Sequence, residues 1–398
     1  MSQHFETQAV RTQLERTQYK EHSVPIYMTS SYKFDDAEEM RALFTGEQEG
    51  NIYSRYANPN VDEFITKMAV LEGAEDGWAT ATGMAAIFTT FATFLKQGDH
   101  VLSSRSVFGS THQLLNNILP KWGISYTYAD LDKTEQWEAA IQPNTKMIFV
   151  ETPSNPGIDI IDLEWLGNFA KKHQTLLVVD NCFATPYLQQ PIKYGTDLSI
   201  HSATKFIDGQ GRALGGIILG RSELIKEIEG FARHSGPSLS PFNSWILSKS
   251  LETLAVRMDR HCESALKVAT ALEANPEVEL VKYPFLPSHP QYEIAKKQMK
   301  QGGGIITFIP KGGLERAAKF LDALRLFSIS ANLGDTRSIA THPASSTHSK
   351  LTEEQRNEVG IQQGTIRLSI GLEHVDDILQ DIEQALKASV MEELETSN

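Results

Sequence analysis

The feature that most constrains the fold is an alternation of short apolar runs with helix-like segments between about residues 75 and 220. The runs are rich in β-branched residues, and the segments between them place apolar residues at helical spacing. This alternation is typical of a mostly parallel sheet with helices on both faces, so we expect an α/β core. The predicted strands are "HVLSS" (100–104), "ISYTY" (124–128), "KMIFVE" (146–151), "LLVVDN" (176–181), "LSIHS" (198–202) and "GGIILG" (215–220).

The two ends of the chain lack this alternation. The first 60 residues contain polar, aromatic and proline-bearing stretches such as "EHSVPIYMTSSYKF", which are more typical of an arm than of a core element. After about residue 255 a long helix-like run leads to "GGGIITFIP", "LERAAKFLDAL", "TIRLSIGL" and "VDDILQDIEQALKASV". We therefore predict an N-terminal arm (1–58), a large α/β domain (59–255) and a smaller C-terminal α+β domain (256–398).

Charge and composition exclude several classes of protein. The 398 residues carry a net charge of −13, which opposes binding to nucleic acid. No apolar run reaches the ~18 residues of a membrane span, and the start lacks the basic and apolar regions of a signal peptide, so we expect a cytoplasmic protein without a membrane partner. Cys182 and Cys262 lie far apart, and no His/Cys cluster is present, so no disulfide, zinc site or other metal site is expected.

Polar residues at the carboxyl ends of the predicted strands are the candidates for a binding site, because ligands of open α/β sheets bind beyond those ends. Asp180 ends the run "LLVV", where a buried carboxylate needs a cation or a donor; taken alone it is better explained as a helix cap or a solvated strand end. "LSIHS" brings Ser202, Thr204 and Lys205 to the same edge. A lysine with the usual pKa of ~10.4 is protonated at pH 7, so a nucleophilic role requires desolvation or a bond to an aldehyde. An isolated lysine would be interpreted as a surface residue.

A third signal is "TATGMAAI" (80–87), where small residues and a glycine open a predicted helix. The N–H groups of Gly83 and Met84 would be free to bind a phosphate at the positive end of the helix dipole. Pyridoxal 5′-phosphate (PLP) needs all three features together: a lysine for its aldehyde, a carboxylate against its ring nitrogen and a phosphate site. Lys205, Asp180, the helix start and the two hydroxyl residues beside the lysine satisfy these needs in one predicted sheet.

Longer motifs resemble the Cys/Met-metabolism enzymes of PLP fold type I over nearly the whole chain. They are "PIYMTSSYKF", "IYSRYANPN", "ETPSNP", "VVDNCFATPYLQQP", "HSATKFIDGQG", "GDTRSIATHPASSTH" and "IRLSIGLE". The resemblance implies the fold of that family, PLP as cofactor and a transferase activity. Within the family, "RSVFGST", "KFIDGQGRALGG" and "YPFLPSHPQYEIAKKQM" are most similar to the branch that converts O-succinyl-L-homoserine and sulfide to L-homocysteine and succinate in methionine biosynthesis. An acetyl ester, cysteine as the nucleophile, and γ-elimination from methionine stay open as alternatives.

The resemblance also implies roles for individual residues. Lys205 would bond to the aldehyde and move protons, and Asp180 would pair with the ring nitrogen. Asn155 resembles the residue near the ring oxygen, Arg367 resembles the clamp for the substrate α-carboxylate, and Ser338 stands where the family has a substrate-carboxylate contact. The residues implied to hold the phosphate are Gly83, Met84, Ser202 and Thr204.

Four further positions bear on assembly and reaction type. Tyr53 and Arg55 resemble the pair that reaches the phosphate of a neighbouring subunit, which implies catalytic dimers and a tetramer of two such dimers. Phe108 stands where many relatives have a tyrosine stacked on the cofactor, so stacking is retained and the phenol is lost. Ser110 replaces a cysteine that γ-lyases often carry, which disfavours the lyase alternative.

Two functions from other classes fit part of the sequence. A nucleotide-binding oxidoreductase shares the α/β pattern, but no G-x-G-x-x-G joins a strand to a helix here. A catalytically silent, cofactor-binding protein would not need the complete set of Lys205, Asp180, Asn155 and Arg367. We therefore expect an enzyme.

Overall fold

The computed structural model describes residues 3–346 and 361–390, and residues 349, 352, 353 and 356 between them. The six predicted strands are present within two residues of their expected bounds. A seventh strand was not expected, because its sequence "DGWAT" contains no apolar run. The strands of this large sheet are β1 (Asp76–Thr80), β2 (His100–Ser104), β3 (Ser125–Ala129), β4 (Thr145–Glu151), β5 (Leu176–Asp180), β6 (Leu198–Ser202) and β7 (Gly216–Gly220).

The large sheet has the strand order β1-β7-β6-β5-β4-β2-β3. The pairs from β3 to β6 are parallel, whereas β7 runs antiparallel to both β6 and β1. The mostly parallel sheet predicted from the sequence is thus confirmed. The carboxyl ends of β4, β5 and β6 meet at one edge, with Glu151 beside Asp180 and Asp180 beside Ile200.

Helices cover both faces of this sheet. Met147 and Phe149 of β4 pack in one apolar cluster with the helices after β1 and β7, whereas Ile148 and Val150 pack in another with the helices before and after β4. Buried strands with apolar side chains on both faces are the expected result of helix layers on both sides. The helices through this region are α1 (Phe5–Arg11), α2 (Ala37–Thr45), α3 (Pro59–Glu72), α4 (Gly83–Phe94), α5 (Gly109–Gln113), α6 (Thr134–Ala140), α7 (Leu163–His173), α8 (Thr185–Leu188), α9 (Ser222–Ser235), α10 (Pro241–Leu251) and α11 (Leu254–Glu273).

Two helix-like segments of the sequence do not form single continuous helices. The segment 109–123 forms α5, a π-helical turn (Leu114–Ile118) and a 3-10 turn (Leu119–Trp122), and Pro120 lacks the N–H that a continuous helix would use. The long run after residue 249 ends one helix at Leu251 and begins α11 at Leu254.

A second, smaller sheet follows α11 and has its own apolar core. Its strand order is β10-β11-β12-β9-β8, as expected for a C-terminal α+β unit. The predicted boundary at 255/256 falls in the first turn of α11. The elements are β8 (Val278–Lys282), α12 (Tyr292–Gln298), β9 (Ile305–Pro310), α13 (Gly313–Ala323), β10 (Ser328–Ile329), β11 (Ile339–Thr341), β12 (Ile366–Ser369) and α14 (Val375–Ala388).

The segment predicted as an arm has two parts that differ in how they pack. Helix α1 packs on its own chain: Ala9 is buried, and the Phe5 ring lies 5.1 Å from the Tyr187 ring, centroid to centroid. Residues 12–58 contain one helix and many exposed side chains, as in an arm. Within the described residues, none of the helices combines the length and the apolar character that crossing a membrane requires.

Candidate active site

A cavity of about 220 Å³ lies at the carboxyl edge of the large sheet. The ends of β4, β5 and β6, the start of α4 and the segment before β11 form its walls. Residues between 83 and 367 thereby meet in one place, as the strand-end argument predicted. The predicted site residues that line it are Gly83, Met84, Phe108, Asn155, Asp180, Ser202, Thr204, Lys205 and Arg367.

Lys205 follows β6 in a turn, and its amine points into the cavity. The Nζ atom donates a hydrogen bond to Oδ1 of Asn332 at 2.7 Å. Burial lowers the pKa of Lys205, Cys182 opposes this shift and the nearby charge of Arg367 adds to it. A lowered pKa increases the fraction of neutral, nucleophilic amine. The residue predicted to carry the chemistry is therefore a half-buried lysine of the cavity and not a fully solvated one.

Two carboxyl groups lie side by side on the cavity wall. Asp180, which ends β5, accepts the backbone N–H of Cys182 at 3.0 Å. Burial raises the pKa of Asp180 to about 6. Glu151, which ends β4, is also buried, and burial together with the Asp180 charge raises the pKa of Glu151 well above its usual range. A cation bound beside these two groups would have a carboxylate partner.

The start of α4 forms an anion site against β6. A Cβ atom at Gly83 would lie 2.6 Å from Cβ of Ser202, so only glycine permits this approach. Thr82 caps the helix, since its side chain accepts the N–H of Ala85. The amides of Gly83 and Met84 have no partner inside the helix and face the cavity, where the helix dipole favours an anion.

Arg367 closes the opposite side of the cavity. Its side chain is buried, with Nη1 donating to Oδ1 of Asn155 at 3.0 Å and Nη2 donating to the Asn332 carbonyl at 3.0 Å. Its Nε atom has no hydrogen-bond partner among the described residues. Burial lowers the pKa of Arg367 to about 10, which leaves the group charged at neutral pH. A buried guanidinium with an unused donor suits a carboxylate ligand.

Three predicted site residues do not line this cavity. The Ser338 hydroxyl donates to Oε2 of Glu373 and accepts the N–H of Gly371, both at 2.9 Å, so it holds a turn of the backbone. Tyr53 is exposed, and Arg55 donates to a backbone carbonyl of α9. A contact of Tyr53 and Arg55 with a neighbouring subunit stays a prediction.

The sequence analysis missed several residues of the cavity. Glu151 follows the same strand-end rule as Asp180 and was open to the same argument. Asn332, which contacts Lys205 without lining the cavity, gave no local signal, because it lies 127 residues from that lysine. The other lining residues that were not selected are Thr82, Ile87, Cys182, Phe183, Leu214, Ala331 and Leu333.

The family described as Cys/Met metabolism PLP-dependent enzyme matches residues 6–387. The chain belongs to this family. An O-succinylhomoserine sulfhydrylase of Pseudomonas aeruginosa is 49% identical over 384 residues, which are 96% of this chain and 95% of the relative. An L-methionine gamma-lyase of Pseudomonas putida is 43% identical over 92% of each chain.

Solved structures agree with this assignment. A Campylobacter jejuni protein described as an O-acetylhomoserine (thiol)-lyase superposes with a TM-score of 0.93 at 37% identity, over 96% of this chain and 99% of its own. That structure carries N'-pyridoxyl-lysine-5'-monophosphate. The present chain is thus a PLP-dependent enzyme with the type I fold that the sequence predicted.

The residues of the cavity fit this cofactor. PLP requires an amine for its aldehyde, a carboxylate for its ring nitrogen and donors for its phosphate. The cavity offers the buried amine of Lys205, the carboxyl group of Asp180 and the free amides of Gly83 and Met84. Each requirement is met by a different wall.

Proposed function

We propose that this enzyme catalyses a γ-replacement that converts O-succinyl-L-homoserine and sulfide to L-homocysteine and succinate, a step of methionine biosynthesis. The Cγ–O bond breaks, succinate leaves, and a Cγ–S bond forms with the sulfide. The observation that carries the proposal is the single cavity in which the Lys205 amine, the Asp180 carboxyl group and the Arg367 guanidinium face one another. The identity of 49% to a sulfhydrylase supports the choice of the succinyl ester and of sulfide.

PLP, when bound, supplies an aldehyde for the amine and a ring that accepts the electron pair released at the substrate α-carbon. Lys205 would bond to that aldehyde before substrate arrives. Its Nζ atom, once freed, would remove the α-proton and later return a proton, a role that its lowered pKa favours. Asp180, whose carboxyl group lines the cavity, would hold the proton on the ring nitrogen.

Other residues of the cavity bind and orient. The amides of Gly83 and Met84, with the hydroxyl groups of Ser202 and Thr204, would hold the phosphate. Phe108 would pack on the face of the ring and Asn155 would contact the ring oxygen. Arg367 binds the substrate α-carboxylate through the donor that is unused in the protein. Ser338 is left out of this scheme, since its hydroxyl holds the backbone near Glu373.

We also propose that the enzyme is a cytoplasmic homotetramer built from catalytic dimers. Tyr53 and Arg55 lie outside the cavity of their own chain, and the Tyr53 ring is exposed, as expected of residues that complete a neighbouring site. Both cysteines are free thiols, as in proteins of a reducing compartment.

Identifying the products tests the reaction. Purified enzyme is incubated with O-succinyl- or O-acetylhomoserine, each alone, with sulfide and with cysteine, and the products are identified by mass. Lys205→Ala, treated in the same way, serves as the inactive control. We expect homocysteine from the succinyl ester and sulfide, well above the yield from the acetyl ester. Cystathionine as the main product would contradict the choice of sulfide.

A second candidate is γ-elimination from L-methionine, which the 43% identity to a lyase favours. The same incubation with methionine and no added nucleophile tests it. Formation of 2-oxobutanoate faster than homocysteine formation in the presence of sulfide would replace the first proposal by the second.

A further inference from the structure

Glu151 is buried in the cavity but has no part in the proposed chemistry. It is 4% exposed, and it ends β4 beside Asp180, which ends β5. Paired residues of neighbouring strands point to the same face of a sheet, so two acids share one buried wall. Burying two carboxyl groups with few cations nearby costs free energy. The presence of Glu151 beside Asp180 therefore needs an explanation.

The contacts of Glu151 join two separate segments of the cavity. Its Oε2 atom accepts the backbone N–H of Phe108 at 2.8 Å. The backbone N–H of Asn155 lies close enough to the same carboxyl group to lower its pKa. Phe108 follows β2, Asn155 follows β4, and these two strands are neighbours. One side chain thus bonds to the loop that carries Phe108 and lies beside the backbone of Asn155, the two residues assigned to the cofactor ring.

The geometry assigns Glu151 as a positioning residue that holds the Phe108 ring and the Asn155 amide in place against the cofactor. Phe108 stands directly before α5, whose start has no side-chain cap, so the contact with Glu151 is the polar tie of this backbone. Asn155 passes the constraint on, because its Oδ1 atom accepts Nη1 of Arg367 at 3.0 Å. This inference rests on the cofactor placement proposed above.

A carboxyl group suits this task better than its isosteres. The buried N–H of Phe108 needs an acceptor, and the N–H of Asn155 lies near the same carboxyl group. Glutamine offers one oxygen and an NH2 group that cannot accept, whereas leucine offers no acceptor. The order of cofactor retention should therefore be Glu151, then Glu151→Gln, then Glu151→Leu.

The test uses holoenzymes in two double-mutant cycles. Glu151→Leu is combined with Phe108→Leu in one cycle and with Asn155→Ala in the other. The readouts are the visible circular dichroism of the bound cofactor and the rate of cofactor loss on dialysis, together with kcat and KM. We expect Glu151→Leu to speed cofactor loss about tenfold in the wild-type background and less than about threefold in either mutant background. Glu151→Gln should lie between wild type and Glu151→Leu.

Either of two results would overturn the inference. The first is the same fold-change for Glu151→Leu in either mutant background as in wild type, because independent sites are additive. The second is a loss for Glu151→Gln equal to that for Glu151→Leu. Glu151→Ala replaces Glu151→Leu if the latter fails to fold. If Phe108→Leu and Asn155→Ala themselves leave the dichroism unchanged, the proposed cofactor placement fails, which is a separate outcome.

Discussion

Two lysines of this enzyme, one wholly buried and one half-buried, have opposite surroundings. Lys67 of α3 is wholly buried, and its amine lies 3.3 Å from Oε1 of Glu63, 3.0 Å from Oγ of Ser248 and 3.5 Å from Oε1 of Glu252. Lys205, in the cavity, makes one side-chain hydrogen bond among the described residues, to Asn332. An ammonium group has three donors, so Lys67 uses its full capacity and Lys205 does not.

Two buried arginines, Arg316 and Arg367, repeat the contrast. Arg316 donates to Glu277, to two backbone carbonyls and, through Nε, to Ser389. Arg367 keeps Nε without a partner in the described part of the chain. A buried cationic side chain whose hydrogen-bond donors all have protein partners stabilises the fold. One with an unused donor is available to bind a ligand. This difference separates structural from functional charge without reference to any relative.

The largest effect should come from removing the amine of Lys205, which has unused hydrogen-bond donors. Lys205→Ala removes both the bond to the cofactor aldehyde and the proton carrier, so turnover should fall at least about 10⁴-fold, which corresponds to about 5.5 kcal/mol. The visible absorbance of the lysine-bound cofactor should disappear, while thermal unfolding of the cofactor-free protein should stay within a few degrees of wild type. Retention of both turnover and absorbance would show that another amine carries the reaction.

Removing the amine of Lys67, whose hydrogen-bond donors are all used within the protein, should affect stability and not chemistry. Lys67→Met leaves the buried carboxylate of Glu63 without its cation, and breaking a buried pair in this way costs about 3–5 kcal/mol. Denaturant titration measures the loss. The matched control is Lys172→Met, whose partner Glu138 is exposed and whose midpoint should hardly move. Equal losses for the two variants would contradict the distinction between the two regions.

The carboxylate of Asp180 should lower the stability of the cofactor-free protein at neutral pH, and the same carboxylate should support turnover. Its pKa in the folded protein is raised to about 6, whereas an unfolded aspartate titrates near ~3.9. The folded, cofactor-free protein therefore binds this proton more tightly, and the stability that it contributes is lost as pH rises from about 4 to about 6.

Asp180→Asn removes that pH dependence. Above pH 7 the cofactor-free variant should be more stable than wild type by about 1–3 kcal/mol, and the difference should vanish near pH 4. Turnover should fall, because the ring nitrogen loses its partner. Denaturant midpoints at several pH values provide the measurement, and a variant that is less stable than wild type at pH 7.5 would refute the argument.

The sequence predicts the central strands well because their apolar runs are buried on both faces and leave little choice of structure. Strand β1 was missed, since "DGWAT" takes its place through pairing with β7 and not through its own composition. The antiparallel direction of β7 was equally hidden, because strand direction depends on the connection and not on the residues of the strand.

For the site, the strand-end rule was sufficient for Asp180 and for Lys205, both of which lie at or just beyond the carboxyl end of a predicted strand. It fails for Asn332, which approaches the lysine from the other domain and lies in a segment without a strong pattern. Ser338, selected only through the resemblance, is placed against Glu373 instead of the cavity. Residues that act from their own strand end are thus predictable, and residues that arrive through domain packing are not.

Asn332 should give the smallest effect of the series and the most specific one. Asn332→Ala removes one hydrogen bond to a charged amine, about 1.5–2 kcal/mol or a ten- to thirtyfold fall in kcat, with KM little changed. Asn332→Asp supplies a carboxylate instead, which raises the pKa of Lys205 and should shift the rising limb of the kcat profile to higher pH. Asn144→Ala, at an exposed asparagine outside the cavity, is the control. An unshifted profile for Asn332→Asp would show that the contact with Asn332 does not set the protonation of Lys205 during turnover. The contrast between Lys67 and Lys205 would then depend on Lys205 alone and not on this contact.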